Sequence, residues 1–402
     1  MSKAIVLYLH VHQPFRVRHY TIFDAGVSHD YFGTAYDTPT SNERIVRKVA
    51  EKSYLPTNAK LLQILEKHPE FHISLSITGT VLEQLEQWAP EALESFKELT
   101  NTGRVEIVGE TYHHSLAFFY SRGEFEAQVK MHREKVEQLF GQTPKVFRNT
   151  ELAYNNDVAF WADKAGYKGV LAEGWDKVLG WRSANFVYRP AYTDNIKLLM
   201  KNYKLSDDIA FRFGDHDWKE WPLTADKFAH WLNETHDAQI FNLFMDYETF
   251  GEHQWHDTGI FDFLEHLPEQ WLKHDGNKFL TVSQACDAYD AVDVVDVPQT
   301  ITWADTERDL SAWLGNGMQT SAINALYGLE AKVLGTNDLS LIEDWRRLQT
   351  SDHFYYMCTK WFNDGDIHAY FSPYDTPYEA FMNFMNAFRD VQFRLTEKGI
   401  EV

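Results

Sequence analysis

From residue 4 to residue 246 the chain repeats one pattern: an apolar run of strand length, a polar or histidine-bearing stretch at its C-terminal end, then an amphipathic segment closed by Gly or Pro. The runs at 4–10 (AIVLYLH), 71–77 (FHISLSI), 104–108 (RVEIV), 145–149 (KVFRN), 167–172 (YKGVLA), 195–203 (NIKLLMKNY) and 240–246 (IFNLFMD) predict seven strands. Helix signals lie between them: Ser121 stands ahead of 123–139 with Gly141 behind, and Asn156 ahead of 157–165 with Gly166 behind. Alternating strands and helices predict an α/β fold, a barrel of TIM type one strand short of eight, with its site in the loops at the strand C-termini. A doubly wound open sheet is the competing topology.

Past about residue 305 the period changes. "MQTSAINALYGLEAKVL" and "PYEAFMNFMNAFRDVQFRL" repeat apolar residues three and four apart, which predicts helices. We therefore expect a barrel over 1–300 and a helical region over 301–402 packed on it. No internal repeat, low-complexity tract or Pro/Gly/Ser linker breaks the chain.

Composition narrows the classes of function. With 402 residues, 44% hydrophobic and 24% charged, the chain can bury a large core and is neither disordered nor a membrane composition. The net charge of -21, from 59 acidic against 38 basic residues, repels phosphate backbones and anionic lipids, so neither nucleic acid nor a membrane is expected as a partner. Two distant cysteines, Cys286 and Cys358, form no metal-binding pair or disulfide framework. The apolar run after Met1 is interrupted too soon by His10 for a secretory signal, and a cytoplasmic location is expected. Sequence says nothing about oligomeric state.

Polar clusters follow most of the strands, where a barrel places its active site. "LHVHQP" puts His10 and His12 two apart, facing one way. "VGETYHHS" brings Glu110, His113 and His114 together, and "KVFRNTELAY" sets Glu151 within reach of Arg148. "FMDYETFGEHQW" holds Asp246 at the end of the seventh run, with Glu248 on the same side and Glu252 past a turn. In the helical part, "LQTSDHFYYM" offers Asp352 beside an aromatic run. Trp175, in the loop after the fifth run, is a candidate wall of the cleft or a core residue. His132 falls on an apolar helix stripe and is assigned to packing.

Two carboxylates on different strands of one barrel are the minimum equipment for glycoside hydrolysis, one ionised as nucleophile and one protonated as general acid. Arg148 is expected to hold Glu151 ionised, and burial with the charge of Glu151 to raise the partner. Histidines and aromatics would grip a neutral sugar, and this chemistry needs no cofactor or metal. The alternative from another class is a metal-dependent amidohydrolase or polysaccharide deacetylase using His10 and His12, with His113 or His114 and a carboxylate as further ligands. A third is a carbohydrate-binding protein without turnover.

Taken in order, "HVHQP", "GETYHHS", "FRNTELAY", "MDYETFGEH" and "TSDHFYYM" resemble the five sequence regions of glycoside hydrolase family 57, most closely its α-amylase branch. The likeness extends through "LLMKNYKLSDDIAFRF", "TWADTERDLSAWLGN" and "YFSPYDTPYEAFMNFMNAFRD". It implies a catalytic (β/α)7 barrel with a C-terminal helical region, acting on α-glucan (starch, glycogen, maltooligosaccharides) with retention of configuration. By motif, Glu151 would be the nucleophile and Asp246 the general acid/base, while His10, His12, Glu110, His114 and Asp352 would hold the sugar. Transfer by a 4-α-glucanotransferase or branching enzyme of the same family is the alternative to hydrolysis.

Overall fold

The computed structural model describes residues 2–33, 35, 37–360 and 367–402. All seven expected strands are present: β1 Ala4–Val11, β2 Ile73–Ile77, β3 Val105–Ile107, β4 Val146–Phe147, β5 Gly169–Glu173, β6 Lys197–Lys201 and β7 Ile240–Asp246. Every ladder between them is parallel, β1 with β2, β2 with β3, β4 with β5, β5 with β6, and β7 back to β1. Two seams close the ring. Gly109 bridges to Phe147, joining β3 to β4, and the Asn202 N–H donates to the Asn242 carbonyl at 2.9 Å, joining β6 to β7. Strands thus follow one another around the ring in chain order, a closed (β/α)7 barrel and not an open sheet.

Strand alternation decides what the barrel holds. Ala4, Val6 and Tyr8 of β1 pack with Val146, Leu171, Leu199, Ile240 and Phe244 in one buried cluster, while Ile5, Leu7 and Leu9 belong to the cluster beneath the surrounding helices. Because side chains repeat every second residue, inward positions continue past the strand ends as polar groups at the mouth. Tyr8 leads to His10 and His12, Val146 to Arg148, Leu171 to Glu173, Leu199 to Lys201, and Phe244 to Asp246.

The helix signals hold to within a residue. Ser121 accepts from the Glu124 N–H to cap Arg122–Phe140, and Gly141 ends it at φ +64°, a left-handed turn that glycine takes without a steric penalty. Asn155, rather than Asn156, caps Asn156–Lys164. Beyond the barrel, helices Gly317–Gly328, Leu339–Arg347 and Pro377–Glu397 supply Ile323, Leu326, Trp345, Phe384 and Val391 to a hydrophobic cluster that also contains Phe147, Val170 and Leu198 of the strands. Among the described residues no helix is long and apolar enough to cross a membrane, and Cys286 and Cys358 are both buried and free.

Candidate active site

A cavity of about 710 Å³ opens at the C-terminal mouth of the barrel, within the usual size for a small-molecule site. Its walls include His10, His12, His114, Glu151, Asp246, Trp303 and Asp352. Two backbone bridges assemble it from distant chain segments. Ser115 pairs with Thr350, and the Ser351 N–H donates to the His114 carbonyl at 2.9 Å, bringing Asp352 over the barrel. Tyr154 pairs with Ile301, which lays Trp303 on the loop after β4.

Glu151 is held on both carboxylate oxygens: His114 Nε2 donates to Oε1 at 2.9 Å and Trp303 Nε1 to Oε2 at 2.7 Å. Its backbone sits at φ +59°, and His114 at +51°, left-handed conformations that cost non-glycine residues about 1 kcal/mol or more and persist where surroundings over-determine them. Burial alone would raise the Glu151 pKa, but the His114 hydrogen bond and charge, then Arg148, outweigh it and keep the carboxyl below its usual range. His114, not Arg148, is thus the principal cation for Glu151. Burial opposes charge on His114 too, yet its contacts with Glu110 and Glu151 lift it to about 9.

The expected sugar contacts separate into two depths. Glu110, expected to touch the sugar, is fully buried and absent from the cavity wall. It lies 3.2 Å from His10 Nε2, 3.5 Å from His114 Nδ1 and 3.7 Å from Arg148 Nη1, so its contacts are with these basic side chains below the wall. The reason is its register, since Gly109 closes the barrel seam and the residue after it turns into the interior. His132, read as packing, accepts from the Glu110 N–H at 3.4 Å and bonds the Ile77 carbonyl through Nε2 at 2.9 Å, fixing that turn. His113 points elsewhere, buried toward Arg346 and Arg347.

His12 faces Thr78 Oγ1 through Nδ1 at 2.8 Å and Asp352 Oδ2 through Nε2 at 3.0 Å. Burial and the neighbouring His114 drop its pKa to about 4, so it is neutral at pH 7 and donates Nε2–H to Asp352. Trp175 is not in the cavity wall. It precedes the short helix Asp176–Leu179, half-buried against the core with Lys177 over its ring, because the β5 loop turns outward there. Trp303 takes the cavity position.

On the far side, His10 Nδ1 lies 3.7 Å from Asp246 Oδ1, whose side chain is 40% exposed. Burial pushes the Asp246 pKa up, but His10, then His253 and Arg148, pull it below its usual range, opposite to the rise expected from sequence. The raised carboxyl is Glu248. Burial first, then the charge of Asp246, lifts it to about 8, and it accepts from Tyr54 Oη and from Gln13 Nε2 at 3.4 Å. At neutral pH Glu248 is therefore a neutral acid at the wall of the same cavity. Glu252 pairs with Lys48 and, at 3.7 Å, with Lys52.

Glu151, His114, Glu110, His10 and Asp246 thus form one line of alternating carboxylates and imidazoles, with Glu110 beneath the mouth and the other four at the cavity wall. His10 with Glu110 and His114, and His12 with His114 and Asp352, also have the donor types of a metal site. The first trio, however, already receives a cation: Arg148 Nη1 is 3.3 Å from His10 Nε2 and 3.7 Å from Glu110, and its guanidinium lies 5.0 Å from the Trp303 ring centre. In the second trio His12 Nε2 faces Asp352 at 3.0 Å and His114 Nε2 faces Glu151 at 2.9 Å.

The lifted His114 pKa makes a stability prediction. A group whose folded pKa exceeds its unfolded value of about 6.5 stabilises fully below that pH and loses the contribution as pH rises through the folded value. For His114 the window is pH 6.5 to about 9, and the shift corresponds to about 3 kcal/mol. Denaturant midpoints should fall across that window, and fall less steeply in His114→Asn; an unchanged slope would place the proton elsewhere.

With this geometry in place, likeness to known proteins is informative. The sequence profile described as Glycosyl hydrolase family 57 matches residues 6–298. A Methanocaldococcus jannaschii protein named "Putative alpha-amylase" is 41% identical over 399 residues, 96% of this chain and 84% of that protein. Two solved structures share the fold. The GH57-type branching enzyme of Pyrococcus horikoshii superposes with TM-score 0.70 at 16% identity, over 96% of this chain and 88% of that one. The α-amylase AmyC of Thermotoga maritima gives 0.61 at 14%, over 100% and 95%. The chain belongs to glycosyl hydrolase family 57.

Proposed function

We propose that the protein cleaves α-1,4-glucan by a retaining two-step displacement, as an α-amylase, with Glu151 as nucleophile and Asp246 as general acid/base. The observation that carries this reading is the line of groups joining the two carboxylates across one cavity mouth. Glu151 attacks the anomeric carbon while Asp246 gives a proton to the departing oxygen. Asp246 then takes a proton from water, which attacks the same carbon and releases Glu151. His114 and Trp303 support the role of Glu151 because they orient both carboxylate oxygens and hold the group ionised at neutral pH. The exposed Asp246 needs its proton only when sugar fills the cavity and removes its solvent, which raises its pKa.

His10 and His114 face the cavity, and His12 with Asp352 forms a polar pair at the wall suited to sugar hydroxyls. Glu110 acts beneath them as a positioning residue. Because Trp303 and Asp352 come from beyond residue 300, the 301–402 region completes the site in this reading instead of merely buttressing a separate 1–300 catalytic unit.

Product analysis on maltoheptaose tests the reading. Shorter maltooligosaccharides of α-configuration are expected as first products, read by NMR before mutarotation. β-Configured first products would overturn retention, products mainly longer than the substrate would favour the 4-α-glucanotransferase or branching reading, and no conversion would leave a binding protein.

A further inference from the structure

The cavity mouth carries aromatic side chains that the chemistry above leaves unused. Phe211, at the end of helix Tyr203–Ala210, is 57% exposed; on helix Ile367–Phe371, Tyr370 is 63% and Phe371 37% exposed. All three line the cavity that holds Asp246, as do the apolar Ile45, Val49 and Ala210. His253 connects them to the acid. Its ring lies 5.6 Å from Phe371 and 6.4 Å from Tyr370, edge-on to each, and it lines the same cavity as Asp246. A single exposed aromatic needs no explanation, but three around one opening that ends at a candidate acid do.

The position of Asp246 says which part of a substrate they meet. A general acid sits beside the oxygen that leaves, so the sugar bearing that oxygen lies on the Asp246 side. In the same cavity wall His253 stands with Tyr370 and Phe371 against its ring. We propose that Phe211, Tyr370 and Phe371 form a stacking rim for glucosyl units on the leaving-group side, an inference that rests on the α-glucan reading above.

The rim then serves both half-reactions. During cleavage it binds the outgoing chain, so longer substrates gain affinity from it. Before water reacts, a second sugar stacked there presents a hydroxyl to the Glu151 ester. Its oxygen bonds to the anomeric carbon, the ester bond to Glu151 breaks, and its proton passes to Asp246, as the proton of water does in hydrolysis. The rim thereby sets the share of transfer against hydrolysis.

Two measurements test this. Calorimetric titration of maltoheptaose into Glu151→Gln protein should show about tenfold weaker binding when Tyr370→Ala and Phe371→Ala are added, with partial recovery for Phe371→Tyr. With Glu151 intact, the Tyr370→Ala/Phe371→Ala protein should form several-fold fewer products longer than maltoheptaose. Trp181→Ala, removing a side chain 83% exposed and outside the cavity wall, is the control and should change neither. Equal maltoheptaose affinity and equal transfer share in parent and double variant would overturn the rim. Failure of the underlying reading looks different: turnover surviving Glu151→Gln removes the nucleophile while the titration still reads the rim, and a parent protein that does not bind maltoheptaose removes both.

Discussion

Glu151→Gln is expected to lower kcat on maltoheptaose by at least about 10⁴-fold, the scale of removing a covalent nucleophile in other hydrolases. The fold should survive. Glutamine keeps an oxygen for the His114 Nε2–H, but its amide meets the Trp303 N–H donor to donor, a mismatch of about 1–3 kcal/mol. Circular dichroism and the denaturation midpoint separate the two effects, since a near-native midpoint with lost turnover isolates chemistry. The loss should also exceed that for Glu110→Gln, which displaces histidines without removing a reacting atom. Retention of more than about a hundredth of wild-type turnover by the Glu151→Gln enzyme would sink the assignment.

Asp246→Asn should cost about 10²- to 10⁴-fold on glucan, the usual worth of a general acid/base. The diagnostic is its dependence on the leaving group. An aryl α-glycoside whose phenolate departs without protonation should form the glycosyl-enzyme nearly as fast in the variant, which then waits for water that no base activates. A burst of phenolate followed by a slow steady state is the expected trace. Equal losses on glucan and aryl glycoside would argue that Asp246 positions the sugar. Because His10, His253 and Arg148 hold its carboxyl low, kcat/KM of the wild-type protein, which reports the free state, should begin to fall at a pH below the ordinary carboxylate value, and kcat should hold to higher pH.

Much of this site was legible before any coordinates. The polar residues that follow the apolar runs, His10, His12, His114, Glu151 and Asp246, all reach the cavity because a parallel barrel sends every strand's C-terminus to one rim. Arg148 and Lys201 were open to the same reasoning, since each continues the inward alternation of its strand one step past the last apolar residue. Glu173 ends β5 on that parity too, buried 3.7 Å from Lys201. Extending the period of two through the strand ends finds all three.

Other features needed three dimensions. Trp175 and Trp303 are both loop tryptophans, and only the Tyr154–Ile301 bridge puts the second on Glu151. Glu110 reads in sequence as a cleft residue, but the barrel seam at Gly109 buries it. Asp246 and Glu248 are chemically similar acids two positions apart, and their opposite pKa shifts arise from neighbours on other strands and helices: His10 for one, a dry pocket with Tyr54 and Gln13 for the other.

The amino-acid sequence by itself determined the seven strands, their alternation with helices and the strand ends that hold the polar groups, because hydrophobic periodicity and cap residues act over a few neighbouring positions. The tertiary structure alone decided which polar groups touch, how deep each lies and which carries a proton, because those depend on contacts and desolvation between segments that are up to 340 residues apart in the case of His12 and Asp352.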